Sequence, residues 1–340
     1  MLQRPLIPYE SIFLIAETAS SHEGDVDLAQ KLADAVKESG AHAIKYQLQN
    51  PDNLLVPTHH KYASFKELQF NDREWRGIIG HAKALQLPVI AEVFDEESCN
   101  LALDLDIDVL KLPTSDLSNP HMIDKIVASS KTTILAVGGA TTNEIAKAVS
   151  ACTEQGHDKL ILMHGFQSFP TKIEDTNLSL LSYLKQNYDF PIGFADHVDA
   201  ESDMALVLPL VAVGFGATVI EKHFTLDRSL KGRDHYSALN PDEFKKLVAQ
   251  TALIEKAYGK TPFGTSKAEV KYRELMKKKI VANTVIKAGE TISLNSLSFR
   301  RSDENGLLPG NYPDILGRAI RDIEPFETIT KKDVIPIKSS

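Results

Sequence analysis

An eight-stranded α/β barrel followed by a small β-rich unit is the architecture this chain predicts, and three observations carry it. Eight short apolar runs alternate with amphipathic stretches over the first three quarters of the sequence. The runs are apolar almost throughout, as strands buried on both faces are. Polar residues gather at their carboxyl ends, where such barrels do their chemistry.

The runs cover residues 12–17, 43–48, 89–94, 109–112, 133–137, 160–164, 191–195 and 218–223. Between them, Leu28, Leu32, Ala35 and Val36 fall on one helical face, as do Ile145, Ala148 and Val149, while Pro241-Asp242-Glu243 supplies a proline and acids for a first turn. An open doubly wound sheet is the alternative. No run is followed by a GxGxxG turn, however, and eight units fit the usual barrel size of about 250 residues. The barrel is expected over residues 1–258. Residues 259–278 are polar and lysine-rich and read as a linker, with Lys277-Lys278-Lys279 as a solvated basic face. Residues 279–340 carry β-like runs at 280–282, 286–290 and 297–299, split by turns at Asn305-Gly306 and Leu308-Pro309-Gly310.

Composition narrows the class. Of 340 residues, 43% are hydrophobic and 25% charged, which is ordinary globular usage with enough apolar matter for one large core and a smaller one. A net charge of -8 disfavours nonspecific binding to nucleic acid or to an anionic membrane surface. Cys99 and Cys152 have neither CxxC spacing nor a disulfide framework, and residues 1–5 show no apolar signal core. No stretch approaches the roughly 20 apolar residues of a membrane span. The expected setting is the reducing cytoplasm.

The strand ends carry the chemistry. Ala195-Asp196-His197 and Glu221-Lys222-His223 close two successive runs, so adjacent barrel strands would bring both imidazoles to the same rim, a geometry that suits a divalent metal. Apart from His164, the other histidines lack such a partner by spacing. Glu17, Lys45, Gln47, Glu92, Lys111, Thr114, Asp116, His164, Gln167, Asp196 and Glu221 share the same rim, and a packed core needs none of them. Lys45 and Lys111 suit a clamp for a carboxylate or phosphate. A Schiff base on one of them is the alternative and needs a desolvated amine of lowered pKa.

Phe13-Leu-Ile-Ala-Glu17, Ser21-His22-Glu23-Gly24-Asp25, Lys45-Tyr46-Gln47, the run from Lys111 to Pro120, Asp196-His197 and Glu221-Lys222-His223-Phe224-Thr225 together resemble the sialic acid synthase family. The similarity spans nearly the whole chain, since Arg301, Asn305-Gly306 and Gly317-Arg318 look like that family's antifreeze-like (SAF) domain. The resemblance implies a (β/α)8 TIM barrel that condenses phosphoenolpyruvate with an N-acylated amino sugar or related aldose to give a 2-keto-3-deoxy sugar acid. It implies a divalent metal, manganese with magnesium or cobalt as substitutes, on His197 and His223. Glu17, Lys45 and Lys111 would surround phosphoenolpyruvate, with Asp116 also catalytic. Gln47, Asp116, Phe169 and Asp234 would lie toward the sugar, and Glu92, Thr114 and Gln167 would line the phosphate pocket. Arg301 would enter a partner subunit's site in a domain-swapped homodimer.

The same resemblance leads one to expect small donors around the phosphate. Glu92 stands for a threonine, Ala136 and Ala195 for serines, Thr114 for a serine and Gln167 for an asparagine, while Asp116 replaces a glutamate and Phe169 a tyrosine. Each lost charge-assisted donor costs about 1.5–3 kcal/mol, so weak phosphoenolpyruvate binding is expected. Two other readings follow: an aldolase or lyase using a pyruvate-like donor, and a non-catalytic subunit that binds sugar acids.

Overall fold

The computed structural model describes residues 11–166, 168, 170–259 and 266–336. The chain divides into two compact units, Met1–Tyr258 and Gly259–Ser340. In the first, strands β1 (Phe13–Glu17), β2 (Ala43–Leu48), β3 (Val89–Val93), β4 (Val109–Leu112), β5 (Thr132–Ala136), β6 (Leu160–His164), β7 (Ile192–Asp196) and β8 (Ala217–His223) form a closed barrel. Each pairs in parallel with the next, and β8 closes on β1 through Glu17 opposite His223. The runs read from sequence match these strands to within a residue at either end.

Helices α1 (Val26–Ser39), α2 (Pro51–Leu54), α3 (Tyr62–Glu67), α4 (Asp72–Ala84), α5 (Glu96–Asp104), α6 (Pro120–Ser129), α7 (Thr142–Thr153), α8 (Ser179–Asn187), α9 (Met204–Gly214) and α10 (Pro241–Tyr258) connect or follow the strands. Several start on a side-chain cap. Asp25, Asp95, Asn119 and Thr141 each accept a backbone N–H of the first turn, which satisfies a donor the helix leaves open and ends the preceding loop sharply. Ala29, Leu32, Ala33 and Val36 of α1 then bury against the outside of the barrel.

Two apolar clusters divide the sheet by the alternation of strand side chains. Phe13, Ile15, Ala43, Ile90, Val109, Ile134, Ile161, Met163, Ala195 and Val219 fill the barrel interior. The intervening residues, among them Leu14, Ile44, Tyr46, Leu110 and Ile220, pack outward on the helices. At Gly165, beyond β6, a Cβ would lie 2.3 Å from the Ala195 carbonyl oxygen, so that close approach of two strand ends requires glycine. Among the described residues, no helix is long and apolar enough to cross a membrane.

The second unit differs from its sequence reading in two places. The stretch 259–278, expected as a linker, contains helix α11 (Lys267–Met276), because Ser266 and Glu269 form a reciprocal capping box that nucleates it. The run 286–290 is no strand. Ile286 makes one antiparallel bridge to Ile323, and Gly289 at φ +86° turns the chain. Strands β9 (Lys279–Ala282) and β11 (Leu297–Arg300) pair antiparallel, while β10 (Thr291–Ile292), β12 (Gly317–Ala319) and β13 (Val334–Pro336) make a second small sheet. Ile280, Ile292, Ile315, Ile323 and Ile329 form their shared core.

Candidate active site

The period of two that fills the barrel with apolar side chains also builds the layer above them. Two residues beyond Ile15, Ala43, Ile90, Val109 and Val219 stand Glu17, Lys45, Glu92, Lys111 and Glu221, all buried and all on the inward face. Lys45 Nζ contacts Glu92 Oε2 at 2.7 Å and Glu221 Oε1 at 2.9 Å, and forms an ion pair with Glu17. Lys111 Nζ reaches Glu221 Oε1 at 2.8 Å and Oε2 at 3.0 Å, and Glu92 Oε1 at 3.6 Å. Glu17 Oε1 also accepts the backbone N–H of Ala19 at 2.5 Å.

These groups set one another's protonation. For Lys111, burial opposes the charge, but Glu221 and Glu92 outweigh it and raise the pKa above the ordinary lysine value. Lys45, with no exposed atom, is lowered because burial and the neighbouring Lys111 prevail over Glu221 and Glu92. Burial works against the Glu221 carboxylate, yet the two ammoniums hold it well below the usual carboxylate range.

One step further toward the rim, His197 follows β7 and His223 ends β8, with ring centroids 5.0 Å apart and planes inclined at 66°. Burial lowers both imidazoles to about 3, so each is neutral with a lone pair to offer. Among the described residues, nothing hydrogen-bonds to the buried Nε2 of His223. This donor chemistry fits a borderline divalent cation. Among the described residues, no group of three or more His, Cys, Asp or Glu forms a ligand set, so the protein brings two imidazoles together and no third such side chain.

Backbone around the pair is fixed from outside the barrel. Asp196 and Lys222 point away from the lumen and form a buried ion pair at 2.7 Å. Asp196 Oδ1 accepts from Val198 N, and the His197 carbonyl accepts from Ser237 Oγ at 2.6 Å and from Thr171 N at 2.9 Å.

The remaining sequence candidates fall in different places. Gln47, half-buried on β2, is in register with Glu92. Thr114 donates its hydroxyl to the Ala136 carbonyl at 3.0 Å. The Asp116 carboxylate is engaged by its own turn, accepting from Ser115 Oγ and Asn119 Nδ2, each at 2.8 Å. Asp234, at φ +59°, accepts from Ser20 N at 3.2 Å and acts on His223 as a nearby charge. Arg301 lies exposed in the second unit. Gln167 and Phe169 lie outside the described residues. Cys99 and Cys152 are free, buried, and pushed up to about 11 by desolvation, which makes them poor nucleophiles.

Glu221 appears among the strand-end residues read from sequence, but without a role in catalysis or binding. In the fold it is the carboxylate that bridges both lysines. The signal was its spacing, two residues before His223 on an inward-facing period.

The loop that follows β8 is latched by Arg233, whose backbone N–H donates to Glu23 Oε1 at 2.6 Å and whose guanidinium donates to Ser64 O at 3.0 Å and Glu67 Oε2 at 2.6 Å. Beneath it His22 packs on Phe70 and is lowered to about 4 by burial, then by Arg233. Since the unfolded residue titrates near 6.5, its contribution is fully present above that pH and is lost as pH falls toward 4. We expect acid unfolding of the barrel to begin below pH 6.5, and His22→Phe to shift its midpoint to lower pH. Superimposable acid curves for the two proteins, followed by Trp75 fluorescence, would contradict this.

Comparison with known proteins adds the family. The NeuB family model matches residues 32–262, more than half of the chain. The chain is 31% identical over 322 residues to the N,N'-diacetyllegionaminic acid synthase of Campylobacter jejuni subsp. jejuni serotype O:2, covering 90% of this chain and 94% of that protein. It is 29% identical over 339 residues to the pseudaminic acid synthase of Campylobacter jejuni subsp. jejuni serotype O:23/36, covering 95% and 97%. The crystal structure of the N-acetylneuraminic acid (sialic acid) synthetase of Leptospira borgpetersenii serovar Hardjo-bovis in complex with citrate superimposes with a TM-score of 0.73 at 30% identity, covering 79% of this chain and 93% of that one. With its barrel, its inward ring of charges and this match over most of its length, the chain belongs to the NeuB family and is an enzyme of the sialic acid synthase type.

Proposed function

We propose that this protein condenses phosphoenolpyruvate with the open-chain form of an N-acylated amino sugar or a related aldose, giving a 2-keto-3-deoxy sugar acid and inorganic phosphate. The observation that carries the reading is the buried pair Lys45 and Lys111 one layer below the neutral pair His197 and His223. The lysines hold the donor's anionic groups as point charges with three donors each. A divalent cation on the two imidazoles, manganese or in its place magnesium or cobalt, would polarise the acceptor aldehyde. The donor's methylene carbon forms the new bond to the aldehyde carbon, whose oxygen takes up a proton. Water adds to the former enol-phosphate carbon and loses a proton, and phosphate leaves as the ketone forms. Glu17, held by Lys45 and by Ala19 N, would position that water, while Gln47 and Asp234 would lie toward the acceptor.

Inorganic phosphate released from phosphoenolpyruvate only when an acceptor sugar is present tests the reading. Release without an acceptor, or none across a panel of N-acylated aminohexoses, sinks it. One observation favours a second reading. Lys45 is fully buried with a lowered pKa, as a Schiff-base lysine requires. An aldolase or lyase using pyruvate would be trapped covalently by borohydride at Lys45, whereas the synthase would not.

The second unit is assigned an antifreeze-like role on the motif resemblance, with Arg301 completing the acceptor pocket of a partner subunit in a domain-swapped homodimer. Its exposed guanidinium fork suits a hydroxyl-rich ligand. Mixing inactive His223→Ala and Arg301→Ala proteins under subunit exchange is then expected to restore turnover, because each mixed dimer holds one intact site. No recovery from a mixture shown to contain mixed dimers overturns the assignment.

A further inference from the structure

The lysine pair carries one carboxylate more than it can neutralise, and the three carboxylates are not held alike. Glu221 bridges both ammoniums with contacts of 2.8, 2.9 and 3.0 Å. Glu17 has a backbone anchor in Ala19 N. Glu92 has ammonium partners alone, Lys45 at 2.7 Å and Lys111 at 3.6 Å, and among the described residues no backbone amide or hydroxyl donates to it. Glu221 likewise has no backbone donor among the described residues, but it makes three lysine contacts of 3.0 Å or less, whereas Glu92 makes one, so Glu92 is the carboxylate of the layer with the fewest contacts to give up when it leaves. A buried carboxylate needs partners for its charge, and Glu92 has only those that an incoming anion would also take.

We propose that Glu92 is a built-in occupant of the donor's anion site: it covers faces of Lys45 and Lys111 that the anionic group of a small 2-oxo acid or enol phosphate needs, and the donor binds by exchanging with it. Glu92 is in this way a specificity-determining residue. With it in place the layer has three carboxylates against two ammoniums, so an anion gains the lysines only by displacing the side chain from them. The inference rests on the reading above that the lysines hold the donor.

The test uses the full chain and inorganic phosphate as probe, with affinities measured by calorimetry at fixed ionic strength. Glu92→Gln and Glu92→Thr are each expected to bind phosphate at least about tenfold more tightly than the unmodified protein, the range that one freed charge-assisted hydrogen bond supplies. Glu17→Gln removes the same formal charge without freeing the faces Glu92 covers, and is expected to gain less than either. Unchanged or weaker phosphate binding in both Glu92 variants, in whichever of them folds with an unaltered melting temperature, overturns the proposal. An equal gain in Glu17→Gln also overturns it, since net charge alone would then explain the effect. Acceptor-dependent phosphate release is scored separately. Tighter phosphate binding without such release leaves Glu92 as occupant and removes the synthase reading; release with unchanged affinity does the reverse.

Discussion

Replacing Lys111 by methionine is expected to lower the stability of the barrel by about 3–5 kcal/mol and to abolish turnover, because it leaves three buried carboxylates sharing one ammonium. Lys111 is the larger loss of the two lysines in one respect: it alone makes two short contacts to Glu221, at 2.8 and 3.0 Å, and that carboxylate is 1% exposed. Water does not reach the charge left behind, so its neutralisation must come from protonation or from unfolding. The sole tryptophan, Trp75, is buried in α4, so its fluorescence during urea denaturation reports the barrel's own transition. Adding Glu221→Gln to Lys111→Met is expected to recover much of the stability and none of the activity. A single-variant loss below about 1 kcal/mol would show that the layer relaxes by taking in water, and would sink the account of a dry, mutually dependent ring.

The second large effect concerns the histidine pair. Manganese, cobalt or magnesium is expected to raise the barrel's melting temperature in proportion to the logarithm of its concentration above the dissociation constant. His197→Ala and His223→Ala should each remove that shift and cut turnover by on the order of a hundredfold or more, as the loss of several kcal/mol of aldehyde polarisation requires. The two rings are 5.0 Å apart and neutral, so neither repels a cation. A metal-induced shift of the same size in His223→Ala would place the cation elsewhere, and the pairing of β7 and β8 would then have only a structural meaning.

The barrel was legible because its signals are local and repeated. Each strand is a short apolar run, and several βα junctions end on a residue such as Asp25 or Thr141 whose side chain caps the next helix. The second unit was less legible. Strands of two to four residues hold too few positions to show a period, and β12 and β13 pass unmarked in the sequence. The α11 helix hid inside a polar stretch because its stabilising feature is a single capping box rather than an apolar face.

For the site, the sequence alone determined which residue types stand at the strand ends and that His197 and His223 fall on neighbouring strands. The tertiary structure decided how they are used. Inward or outward orientation depends on barrel register, which placed Glu221 between the lysines and sent Asp196 and Lys222 to the outside as an ion pair. Whether Glu92 faces a ligand or the lysines is likewise no property of its neighbours in the chain. It depends on Lys45 and Lys111, brought to Glu92 by strand pairing and close enough in a water-poor interior for charge to override any local preference.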